Sequence, residues 1–310
     1  MNLRVLLATD LSRFAESATR IAASLPWPNN TTILVLGVIE AARPVVGVAP
    51  DGLSSDERDA REFTFAVRLA SETLAAPGRT IETLTTFGHP AEAIVEEAAR
   101  FRADLVIMGS RGRGPIRSAL LGSVSAEVVD RAPCPVLIAR RERVSSIVFG
   151  ADGATRTTEA ADVLTWPVFA GLPMRVVSVA KVDLPYDAVA EPRAKFEAAV
   201  NSYLKQSEDA QAKYERIAKQ TAAQLVAIGI AATSEVRHGS PAPALLAAAD
   251  DFGADLIVVG SRGDRGLQRV LVGSTAREIL YDASCSVLIA RQQPAVELDE
   301  MAAFALGYAS

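Results

Sequence analysis

Short apolar runs and longer amphipathic segments alternate along the chain, and each change of period marks a change of element. Runs such as RVLLA, TILVLGVI, DLVIMG and PVLIA are short and dense in Val, Ile and Leu, so they predict buried strands. The pattern predicts strands over 3–8, 32–39, 81–86, 105–109 and 136–139. Between them apolar residues recur at helical spacing, predicting helices over 13–25, 56–75, 91–101 and 123–131. Pro90 suits the first turn of the third helix, where a missing N–H is no loss. The series then repeats, with strands over 147–151, 175–180, 232–236, 256–260 and 287–290. Its second helix is longer, within 194–228, ahead of Gly229.

The repetition is literal. Aligning Gly88 to Arg140 with Gly239 to Arg291 needs no gap, and 24 of 53 positions are identical. That marks a duplicated domain rather than a solenoid unit. The fronts match more loosely, RVLLATDLS from Arg4 against SIVFGADGA from Ser146. The seam falls near Arg140 to Ser145, which gives domains over 1–142 and 143–291 and a tail over 292–310. Apolar strands separated by helices imply parallel sheets covered on both faces. With right-handed crossovers, the expected fold class is α/β: two tandem doubly wound parallel five-stranded sheets with helices on both faces, Rossmann-like. In such sheets ligands bind beyond the carboxyl ends of the strands. Segments 43–55 and 182–192 read as loops, either lids or surface excursions. The tail ends in MAAFALGYA, which either docks or frays.

Composition narrows the function classes. Of the 310 residues 49% are apolar and 22% charged, which is globular rather than disordered. A net charge of −5 argues against a general nucleic-acid binder. No apolar stretch is long enough for a membrane span or a signal peptide, so the expected location is the cytoplasm. Cys134 and Cys285, each just before a strand, read as buried reduced thiols, with a disulfide or redox pair as the alternative. His89 and His238 are offset between the copies, one after the turn glycine and one before it, and read as loop residues. No metal motif is visible.

The candidate chemistry lies in two glycine turns, each after the fourth strand of its half. GSRGRGPIRSALLGSVS and GSRGDRGLQRVLVGSTA share the spacing G-x2-G-x9-G-S. The first holds Gly109, Gly112, Gly122 and Ser123; the second holds Gly260, Gly263, Gly273 and Ser274. Glycine lets backbone N–H groups approach a ligand, and a helix start offers unpaired donors to phosphate. Ser123 and Ser274 either cap that helix or bind phosphate oxygen. A plain tight loop with a helix cap is the competing reading. There is no G-x4-G-K-[ST], and the turns after the first strands, ATDLS and GADGA, carry no dinucleotide fingerprint.

The pattern G-x2-G-x9-G-[ST] after the fourth strand resembles the ATP-binding signature of universal stress proteins. TDLS, G-x-P-A-x-A, ADLVIMGSRGRG, LLGSVS and CPVLIAR support the resemblance, which covers nearly the whole chain as two copies. It implies a fold of the adenine nucleotide alpha hydrolase-like type that binds ATP or a related adenine nucleotide. Carried over, Asp10 and Asp152 contact the nucleoside, and Val38 and Val179 line the adenine pocket. Gly109, Gly112, Gly122, Ser123, Val124 and Ser125 surround ribose and phosphates in the first site. Gly260, Gly263, Gly273, Ser274 and Thr275 do so in the second. Asp10 and Asp152 also read as helix caps, which does not exclude that contact.

The copies differ in charge. The first turn carries Arg111, Arg113 and Arg117; the second carries Arg262, Arg265 and Arg269 but also Asp264, whose carboxylate would repel phosphate. These arginines serve either phosphate or surface ion pairs. No hydrolytic triad, carboxylate pair or metal cluster stands out, so binding with at most slow ATP hydrolysis is expected, Mg2+ arriving with the phosphates. The alternative is an interaction scaffold with empty sites. An unpaired final strand would expose an edge. In this family that strand commonly pairs with its counterpart, so Val136–Ala139 is expected antiparallel to Val287–Ala290 as an internal pseudo-dimer. A homodimer of whole chains is a further expectation.

Overall fold

The computed structural model describes residues 2–40, 55–112, 121–153, 155–181, 193–261 and 272–291. The tail expected over 292–310 and the loop expected over 182–192 lie outside these residues, as does the loop expected over 43–55 except Ser55, which begins a helix. The first half runs β1 (Arg4–Thr9), α1 (Arg13–Ser24), β2 (Thr31–Ile39), α2 (Ser55–Leu74), β3 (Arg79–Phe87), α3 (Pro90–Arg100), β4 (Leu105–Gly109), α4 (Ser123–Arg131) and β5 (Val136–Ala139). The second runs β6 (Ile147–Gly150), α5 (Thr155–Leu164), a 3-10 turn (Pro167–Phe169), β7 (Met174–Ala180), α6 (Arg193–Ala227), β8 (Ala232–His238), α7 (Pro241–Phe252), β9 (Leu256–Gly260), α8 (Ser274–Asp282) and β10 (Ser286–Ala290).

Each half is a parallel sheet, and the two join into one ten-stranded sheet of order β3-β2-β1-β4-β5-β10-β9-β6-β7-β8. The expected antiparallel pairing forms the joint, with Val287 opposite Ile138, Leu288 opposite Leu137 and Ile289 opposite Val136. Because β5 and β10 run in opposite senses, the carboxyl ends of the two half-sheets lie on opposite rims. Side chains alternate across the strands into two cores, each spanning both halves. Leu6, Leu36, Val106, Ile138, Val148, Ile257 and Ile289 pack on the face that α3, α4, α7 and α8 cover. Val5, Leu7, Ile107, Leu137, Phe149, Val258 and Leu288 pack on the face of α1, α2, α5 and α6. Strand β3 is longer than expected, because all nine of its residues pair with β2 although much of it is exposed at the sheet edge.

Two arginines reach across the joint. Arg140, just after β5, donates to the carbonyls of Leu280 and Cys285 at the end of α8 and beyond. Arg291, just after β10, donates to the Ala132 carbonyl at 2.6 Å and to the Val129 carbonyl. Each half thus occupies the carbonyl end of the other's last helix, where cations are favoured. Burial lowers the Arg140 guanidinium to about 10. Cys134 and Cys285 are free and buried, as expected. Burial pushes their thiols up to about 12 and about 11, far from the reactive thiolate range. Among the described residues, no helix is long and apolar enough to cross a membrane.

Candidate functional site

At the carboxyl end of β1 the chain turns sharply through Asp10, Leu11 and Ser12. Leu11 adopts a left-handed φ of 64°, a strained conformation of the kind that collects at functional sites. The Asp10 carboxylate accepts from the Ser12 N–H at 3.0 Å. Ser12, not Asp10, caps α1: its Oγ accepts from the Ala15 N–H at 3.1 Å. The same hydroxyl donates to the Arg111 carbonyl at 3.4 Å, tying this turn to the glycine turn after β4.

The glycines of the first turn do different jobs. A Cβ on Gly109 would stand 2.6 Å from the Phe14 carbonyl carbon and 2.9 Å from the Ala15 nitrogen, so glycine here lets α1 lie directly on β4. A Cβ on Gly112 would stand 2.5 Å from Asp10 Oδ2, so glycine here admits the carboxylate. Gly122 donates its N–H to the Ser110 carbonyl at 2.8 Å, which brings the two ends of the turn together. Gly122 is itself the N-cap of α4, with φ −81° and ψ 158° and no side-chain cap. That rules out capping, one of the two roles expected of Ser123, which is the exposed first residue of the helix. The dihedral angles of an N-cap fall on the glycine, and the serine comes one position too late. Ser125 is buried and donates to the Gly109 carbonyl at 3.0 Å, bracing α4 against β4. Val124 beside it is half-buried. Val38, near the end of β2, is buried in the core on the α3 and α4 face. The Arg111 guanidinium lies 5.3 Å from the Phe14 ring centroid.

The second half repeats this frame on the opposite rim. Gly260 ends β9, and Gly273 donates to the Ser261 carbonyl at the same 2.8 Å. Gly273 is the uncapped N-cap of α8, and exposed Ser274 is its first residue, the same correction as in the first copy. Asp152 and Gly153 stand where Asp10 and Leu11 stand, and Gly153 has φ 80°. Val179 is buried like Val38, and Thr275 is half-buried in the first turn of α8. The copies part at Ser125, whose counterpart is buried Ala276 with no hydroxyl to brace β9. Arg113, Arg117, Arg262, Gly263, Asp264, Arg265 and Arg269 lie outside the described residues.

The fold therefore brings Asp10, Arg111, Gly112, Gly122 and Ser123 to one rim, at the start of a helix that no side chain caps. The first-turn N–H groups of such a helix have no partner within it. Next to a glycine turn they suit an oxyanion such as phosphate. Among the described residues no group of three or more His, Cys, Asp or Glu could hold a metal ion. His89 directly precedes α3 and His238 ends β8, so the offset between the copies persists. Sequence reasoning passed over Ser110, Ser261 and Phe14. The two serines are identical in both repeats, and that was the available signal.

The sequence model of the universal stress protein family matches residues 1–140 and again 144–291. A universal stress protein of Mycobacterium tuberculosis is 28% identical over 252 residues, covering 78% of this chain and 79% of its own. One from Thermus aquaticus is 38% identical over 140 residues, 44% of this chain and 97% of its own. Among solved structures, a universal stress protein from Archaeoglobus fulgidus covers 93% of this chain and 98% of its own, with a TM-score of 0.62 at 19% identity. That likeness is one of fold.

Proposed function

The chain belongs to the universal stress protein family, and on that premise we propose that it is a stress-response module whose two halves each bind an adenine nucleotide, ATP first among them. One observation carries this reading: the bridge from Gly122 to Ser110 recurs from Gly273 to Ser261 at the same 2.8 Å, each beside an uncapped helix start. Both copies keep it although the turns between its two ends differ in charge. In this reading Asp10 and Asp152 take the ribose, and Val38 and Val179 border the adenine. Backbone N–H groups around Gly112, Gly122 and Ser123 meet the phosphates in the first site, and those around Gly263, Gly273, Ser274 and Thr275 do so in the second. Arg111 and Arg262 add positive charge. Ser125 braces the first site through the Gly109 carbonyl.

Mg2+ would arrive with the triphosphate. We assign no efficient hydrolysis, and a cytoplasmic location and whole-chain homodimer belong to the same proposal. Each half, 1–142 and 143–291, is one stress-protein domain. The test is to denature purified protein and count released nucleotide per chain, then titrate stripped protein with ATP, ADP and AMP with Mg2+. Two adenine nucleotides per chain are expected. No nucleotide released, and no binding on titration, would leave an interaction scaffold as the better reading.

A further inference from the structure

The carboxyl end of α4 touches the other half's glycine turn. Asp130, in the last turn of α4, accepts from the Val272 N–H at 3.3 Å. Its two oxygens accept from the Arg277 guanidinium at 2.8 and 3.0 Å. Val272 directly precedes Gly273, the N-cap of α8, and Arg277 lies in the first turns of that helix. One carboxylate therefore holds both sides of the α8 start. The first-turn N–H groups of Ser274, Thr275 and Ala276 have no partner within the helix. With Arg277 44% and Asp130 20% exposed, solvent screens the ion pair, so its weight lies in geometry more than in attraction.

The duplication shows that this contact runs one way. Asp130 aligns with Tyr281, Arg277 with Ala126 and Val272 with Leu121. Neither Tyr281 nor Ala126 can supply a carboxylate or a guanidinium to the first turn. The strand joint and the arginine crossings are reciprocal, and this contact is not. We propose that Asp130 is a positioning residue that the first half supplies to the second glycine turn, holding Val272 and Gly273 where the α8 start can receive a nucleotide phosphate. The inference rests on the nucleotide reading above. It makes the second site a joint product of both halves, and among the described residues the first site has no counterpart of this contact.

Amide hydrogen exchange on the full chain reads the two turns separately, through peptides covering 121–126 and 272–276. Without nucleotide, Asp130→Ala should raise exchange of the Val272 N–H, read within 272–276, roughly tenfold, the effect of losing a hydrogen bond to a charged group. Exchange in 121–126 should not change. In a Mg-ATP titration, half-saturation of protection over 272–276 should rise by about the same factor in Asp130→Ala, with 121–126 again unmoved. Asp130→Asn keeps an oxygen for the Val272 N–H and should recover most of the loss. Unchanged exchange in nucleotide-free Asp130→Ala overturns the proposal. So does tighter ATP protection of 272–276, which would make Asp130 a repelling charge. If the unmutated chain shows no ATP protection in either peptide, the nucleotide reading falls, and nucleotide-free exchange still decides whether Asp130 anchors the turn.

Discussion

Replacing Gly109 and Gly122 one at a time by alanine separates a glycine needed for packing from a glycine needed for a ligand. At Gly109 the new methyl would meet backbone, 2.6 Å from the Phe14 carbonyl carbon and 2.7 Å from its oxygen. Ordinary carbon contacts lie at about 3.5–4.0 Å, so α1 must retreat from β4 by about 1 Å. Overpacking of this kind costs about 1–3 kcal/mol. The stiffer unfolded chain that alanine gives offsets roughly 0.4–1 kcal/mol of that. The net expectation is a loss of about 1.3 kcal/mol in nucleotide-free protein, the midpoint of a range of about 0–2.6 kcal/mol. At Gly122 the nearest atom to a new methyl is Arg111 Cα at 3.3 Å, and φ is −81°, which alanine tolerates. Gly122→Ala should therefore leave stability within about 0.5 kcal/mol while weakening ATP binding, because the methyl crowds the helix start. Urea unfolding followed by circular dichroism measures the first effect as a lower midpoint at unchanged slope. Titration with Mg-ATP measures the second. Unaltered stability in Gly109→Ala, or unaltered ATP affinity in a folded Gly122→Ala, would refute this division of labour.

Two further outcomes are expected. Arg291→Ala removes both donors from the α4 carbonyl end and should cost about 1–2 kcal/mol, allowing for partial exposure, read as a lower unfolding midpoint. Arg291→Lys, with one flexible ammonium, should recover only part of it. The buried thiols titrate above an ordinary thiol, so below about pH 9 their contribution is fully present. As pH rises from there toward about 11 and 12, the unfolded chain loses these protons first and stability falls. The double variant Cys134→Ala, Cys285→Ala should flatten that alkaline decline in a series of unfolding curves.

The strands and helices were largely legible because their periodicity is strong: the helix expected over 56–75 forms as Ser55–Leu74, and the one expected within 194–228 as Arg193–Ala227. What escaped depends on tertiary partners. Strand β3 gained its ends from pairing with β2, not from its own polar-flanked sequence. Ser123 looked like a cap because serine favours that position, but the turn geometry put the cap on Gly122. Of the glycines in the first turn, one spacing concealed three functions, since only the neighbours of each Cβ position tell packing from ligand approach. Arg140 and Arg291 appeared only as the shared last letter of a repeat. Their carbonyl partners lie in the other half and emerge only once β5 and β10 pair.

That pairing also decides what a binding partner can see. A protein docking on one rim of the sheet meets the turn of one half and is screened by the whole height of the sheet from the turn of the other. The molecule is thus two-ended. Under the nucleotide reading proposed above, a partner at one rim would meet the ligand state of one site only. That two-endedness follows from the antiparallel sense of one pair of short strands.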